Sequence, residues 1–198
     1  MRLPPTNKFA GLQPHVFMKD LIHGSILLIV CCAFYLLWWC LAFHPSKTMS
    51  KMITGPIIAF AAAVGIVGGY LVLRAISNIS LSRSLIGGFK LLGIGAIVYV
   101  VLLLISFFVL NRPVTTELLL IVGWATLQIS YTNVLYGTSH VSFMTAIILI
   151  LLIIAFAVAS LVAYMFYYQL EAMASYIDGM IPLVLVMVMM IVTTLFSL

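Results

Sequence analysis

Acidic residues are almost missing from this chain: Asp and Glu together number 4, against 9 Lys and Arg, in 198 residues. Charged positions make up only 7% of the sequence, where a soluble domain carries roughly a quarter. With so few acids there is no paired-carboxylate motif for general acid–base chemistry. G-x-S-x-G elbows, H-E-x-x-H helices and phosphate-binding glycine loops are lacking too. Cysteine is confined to Cys31, Cys32 and Cys40, all inside one apolar run. Adjacent cysteines on a helix point about 100° apart and match no zinc spacing, so reduced, buried thiols are expected. No basic stretch interleaved with stacking aromatics is present, which argues against a nucleic-acid surface. Polar linkers and low-complexity tails are also absent.

What remains is apolar. Hydrophobic residues fill 65% of the chain, and they gather into six long runs at about 21–43, 53–76, 91–110, 114–136, 143–168 and 180–198. A hydrocarbon core needs about 20 residues of helix at 1.5 Å each, so each run reads as a transmembrane helix. A β-barrel would show short alternating segments instead. The first run is too long for a signal-peptide core and has no small-residue cleavage pattern, so it is expected to stay as the first helix. The expected fold is all-α: a single domain over 1–198, built as a bundle of six transmembrane helices.

Charge orients the bundle. With residues 1–20 in the cytoplasm, that side receives Arg2, Lys8, Lys19, Arg74, Arg83 and Lys90 against Asp20. The other side receives Lys47, Lys51 and Arg112 against Glu117, Glu171 and Asp178. This bias follows the positive-inside rule and puts both chain ends in the cytoplasm, most simply across the cytoplasmic membrane. The expected connections are 43–56 and 171–182 outside, with 77–84 and 136–140 inside. Asn78-Ile79-Ser80 matches a glycosylation sequon, but it falls on the inner side and should stay unmodified. Opposite halves of three helices would resemble an inverted repeat, yet 1–110 and 111–198 show no residue-level match.

Small residues recur at four-residue spacing at Ala61, Gly65 and Gly69 and again at Ala155, Ala159 and Ala163. Such stripes let backbones approach closely, so they are expected at helix–helix contacts, inside one chain or between copies. Gly87, Gly88, Gly93 and Gly95 crowd the start of the third run without deciding anything by themselves.

The fourth run is the unusual one. It carries Glu117, Trp124, Gln128 and Tyr131 within about 40° of one helical meridian, with Thr126, Ser130 and Asn133 on the opposite half. Unsatisfied polar groups facing lipid cost several kcal/mol each, so this helix should be central, with protein or a hydrated cavity on both faces. Glu117 begins the helix and Asp178 precedes the last one. The two carboxylates, with Trp124, Gln128 and Tyr131, are the candidate lining of a solute or ion path. Each also has a plainer role: Glu117 as a complement to the helix dipole, Gln128 as an interhelical hydrogen-bond partner, Tyr131 and Tyr136 as interfacial tyrosines.

Histidines give a weaker signal. His23 and His44 lie 21 residues apart on the first run, at opposite membrane ends, as in transmembrane haem proteins. His140 or His15 is available as a partner for His23, whereas His44 has none, so interfacial hydrogen bonding is the simpler reading. Trp38 and Trp39 fit an outer aromatic belt. Met187, Met189 and Met190 read as apolar filler, not copper ligands. No cofactor and no metal site are expected. The partners expected are the lipid bilayer, a small solute or ion, and a second copy or a larger membrane complex. Three functional classes follow. The first is a transporter, channel or transporter subunit. The second is a non-catalytic lipid-binding, assembly or regulatory subunit. The third, an embedded enzyme or haem redox protein, has no evident constellation to rest on.

Overall fold

The computed structural model describes residues 14–46, 49–78, 85, 88–109 and 116–198, without the side chains at 14–16, 89, 92, 116, 117 and 168. Among these residues the regular structure is all helical. Five helices are long and apolar enough to cross a membrane, and a shorter apolar helix covers Gly93–Val109. That is the architecture of an integral membrane protein.

Helix α1 spans Pro14–Ala42 and α2 spans Lys51–Asn78. Helix α3 spans Gly88–Leu104 and continues as a π-helical turn over Ile105–Val109. Helix α4 covers Thr116–Gly137, and α5 covers Phe143–Phe166 with a 3-10 turn at Tyr167–Gln169. The short α6, Ala172–Asp178, leads into α7, Ile181–Leu195. We call the end of the bundle where α1 begins the near end, and the end where α1 finishes the far end.

Two boundaries depart from the sequence expectation. Helix α1 begins at Pro14, well before position 21, because proline suits a first helical turn and the polar residues that follow have an interfacial use. Asp20 there reaches Arg74 of α2, Oδ2 to Nε at 3.7 Å. The stretch 171–182, expected as a connection, is mostly helix: α6 and α7 together make one apolar span, Ala172–Leu195. The break comes at Gly179, where a Cβ would collide with the indole of Trp39.

Packing also corrects the register of the small-residue stripes. On α2 the face turned to α1 is Ala61, Gly65, Gly68, Val72 and Ala75, an alternation of four and three. A Cβ on Gly68 would come within 2.9 Å of the Gly24 carbonyl oxygen, and one on Gly24 within 2.8 Å of the Gly68 carbonyl oxygen. Gly69 has open space beside it. On α5 the buried face is Ala146, Leu149, Ile153, Ser160 and Ala163, while Ala155 and Ala159 are exposed. A seam spaced four-then-three follows a shallow left-handed crossing, whereas a strict four-residue stripe suits the steeper right-handed one.

Helix α4 is the centre. It touches α2, α3, α5 and α7, and 56% of its span is buried against 11–28% for the other four. Helix α3, by contrast, packs on α4 alone among the described helices, where Gly95 lets the Thr126 side chain approach.

Candidate functional site

From Thr126 to Asn133 the polar side chains of α4 are hydrogen-bonded within the protein on both faces. On one face Gln128 is 1% exposed, and its Oε1 accepts the Thr193 hydroxyl of α7 at 3.0 Å. One turn on, the Tyr131 phenol donates to Ser197 Oγ at 2.9 Å. Ser197 in turn donates to the Thr194 carbonyl at 2.6 Å. Thr194 gives its own proton to Met190 O at 2.7 Å and shares a 2.6 Å hydroxyl contact with Ser25 of α1. Ser25, Gln128, Tyr131, Thr193, Thr194 and Ser197 are all buried. One hydrogen-bonded cluster thus joins α1, α4 and α7 toward the near end.

The opposite face is satisfied differently. Thr126 and Ser130 donate to the carbonyls four residues back, both at 2.8 Å. On the Gln128 side, Thr132 does the same to the Gln128 carbonyl at 2.9 Å. These bonds need no neighbour, which is how hydroxyl residues ride in apolar helices. Asn133 reaches outward: its Oδ1 accepts the backbone N–H of Leu85 at 3.2 Å, tying α4 to the chain between α2 and α3.

Trp124 stands one turn from Gln128, toward the far end. Its ring packs with Leu149, Ile153, Met189 and Met190, so those methionines are core filler. Trp124 is 9% exposed, and its indole N–H has no hydrogen-bond partner among the described residues.

Of the residues singled out from sequence, Trp124, Gln128 and Tyr131 therefore share one buried face. Glu117 lies in the first turn of α4, but its side chain falls outside the described residues. Asp178 sits at the α6–α7 break, at the far end, with Oδ2 buried and no partner among the described residues. The cluster around Gln128 and Tyr131 is thus separated from Asp178 by most of the length of α7.

Ser25, Thr193, Thr194 and Ser197 were not singled out from sequence. Their signal is faint: "VTTLFS" carries the only hydroxyls of an otherwise apolar last run, and such residues often bond only to their own helix.

At the far end, Trp39 donates its indole N–H to the Tyr176 carbonyl at 3.2 Å, and the rings of His44 and Tyr176 stand 5.5 Å apart. His44 Nδ1 contacts Ser46 Oγ at 3.0 Å, and at the near end His140 Nδ1 contacts Thr138 Oγ1 at 2.9 Å. Among the described residues, no three His, Cys, Asp or Glu side chains gather as metal ligands would. Asn78 donates to the Arg74 carbonyl at 2.7 Å, while the rest of its sequon lies outside the described residues.

Compared with protein-family models, with curated proteins and with solved structures, the chain has no match.

Proposed function

We propose that this protein is a non-catalytic membrane subunit of an assembly or regulatory kind. In this reading α4 is the hydrogen-bonded staff of the bundle, and the other helices present apolar faces to lipid or to a partner. The supporting observation is Gln128, the most polar mid-span group of α4, which is taken up by Thr193 of the same chain. Interhelical bonds of this kind hold a bundle together. The exposed apolar surface of α3, including Ile97 and Phe108, fits lipid or a neighbouring subunit equally well. The reading includes six crossings, with the N-terminal end of the first helix and the C-terminal end of the last on the cytoplasmic side of the cytoplasmic membrane. The test is ion and solute flux through liposomes carrying the purified chain. Flux equal to that of empty liposomes is expected; sustained, saturable flux would reject an accessory role.

A second reading, passage of a small solute or ion beside α4, draws on two buried atoms without a partner among the described residues, Trp124 Nε1 and Asp178 Oδ2. Under it, Glu117 and Asp178 would attract a cation at one mouth. Replacing them together, Glu117→Gln with Asp178→Asn, should then abolish flux in a chain that still folds. Full flux in that variant would leave both carboxylates as helix-end groups.

A further inference from the structure

At the far end a cleft of about 490 Å³ opens between the close of α1 and the start of α2. Its lining includes Trp38, Phe43, Met49, Lys51, Thr54 and Gly55. The walls are aromatic and apolar. Trp38 and Phe43 meet edge to face, with ring centroids 5.2 Å apart. The Met49 N–H is pinned to the Leu41 carbonyl at 3.0 Å, which holds the connection against the end of α1. Lys51 supplies the charge of the lining, and it is exposed.

We infer that this cleft is a binding site for an anionic phospholipid, with the phosphate on the Lys51 ammonium and the first chain carbons against Trp38, Phe43 and Met49. Three observations carry this. First, the cleft lies between the last residue of one apolar span and the first of the next, Phe17–Ala42 and Lys51–Asn78. That is the depth where headgroups meet acyl chains and where tryptophan settles. Second, its volume lies within the roughly 300–1,000 Å³ of small-molecule sites. Third, the charge complements an anion: Lys51, the one cation among the described lining residues, on an apolar wall matches a phosphate joined to hydrocarbon better than a free, fully hydrated ion.

The backbone of α2 contributes less than its helix end would suggest. Ser50 already caps it, with Oγ accepting Met52 N–H at 3.3 Å and its carbonyl accepting Ile53 and Thr54 N–H at 2.9 and 3.2 Å. Recognition of the phosphate therefore rests on Lys51, with the partial positive charge of the helix end behind it.

The inference requires only that the bundle be embedded in a bilayer, and it is independent of any assembly role. The experiment is tryptophan quenching in the full chain, reconstituted in phosphatidylcholine vesicles with brominated phosphatidylglycerol or brominated phosphatidylcholine at equal mole fraction. Trp39 and Trp124 are buried, so they form a background, and Trp38→Phe identifies the cleft's share. The expected result is an association preference of about fivefold for the anionic lipid at Trp38, the effect of one basic residue near a charged surface. Lys51→Gln should abolish this preference and Lys51→Arg should retain it. Equal quenching by both lipids with Lys51 in place would overturn the site, as would a preference that survives Lys51→Gln. Absence of quenching by either lipid would overturn the membrane-embedded architecture as well.

Discussion

The Thr193 hydroxyl has one proton and three acceptors within reach: Gln128 Oε1 at 3.0 Å and the carbonyls of Met189 and Met190 at 3.1 Å. The bond to α4 therefore competes with bonds inside α7, and its net worth should be modest. A double-mutant cycle on Gln128→Leu and Thr193→Val, read by reversible unfolding in mixed micelles, should give a coupling of about 0.6–1.7 kcal/mol. A coupling of zero would mean that Gln128 is merely tolerated. A second residue-scale expectation concerns Ser139, whose φ of 63° puts a side chain in left-handed backbone. Ser139→Gly should gain up to about 1 kcal/mol in the same assay, and Ser139→Val should lose a similar amount. At this scale the sequence was legible in one direction. The polar meridian of α4 said that Gln128 and Tyr131 needed protein around them, because lipid offers no partner. It could not name Thr193 or Ser197, since a hydroxyl that satisfies itself on the preceding turn looks the same in sequence as one that crosses to another helix.

Helix pairs show where composition informs and where register does not. That α2 would use small residues against a neighbour was readable from its alanines and glycines. Which of them face α1 was not, because four-residue spacing and four-then-three spacing share Ala61 and Gly65 and diverge only at Gly68 and Gly69. The structure makes the difference measurable. Gly68→Val and Gly24→Val should each destabilise the bundle by about 1–3 kcal/mol through overpacking, since backbone lies directly opposite. Gly69→Val, one residue away, should be close to neutral. Equal losses at 68 and 69 would return the seam to the four-residue stripe. The lengths of the long apolar runs were legible because a bilayer demands them. The early start of α1 and the helical α6 were not: Asp20 ends a hydropathy run without ending its helix, and α6 carries Ser175, Tyr176 and Asp178 on helical backbone.

For the molecule as a whole, the topology proposed from the distribution of basic residues can be checked by labelling. Single cysteines at positions 47 and 112 should react from the outside, and one at position 83 from the cytoplasm; reaction of 83 and 112 from the same side would overturn the arrangement of crossings. The hydrogen-bonded core also bears on how the protein is made. Its contacts join residues far apart in sequence, with Ser25 and Thr194 separated by 169 positions. The hairpin of α1 and α2 has its partner at once, while the face of α1 that meets α7 must wait until α7 has been synthesised. At about 5–20 residues per second that wait is on the order of 10–30 seconds. Through it Ser25, and in its last part Gln128 and Tyr131, sit in the membrane without the α7 hydroxyls that later receive them. Quality-control proteases that sense polar groups in lipid therefore have a defined window in which to judge this chain, and ribosome stalling before Thr193 is added would hold that window open.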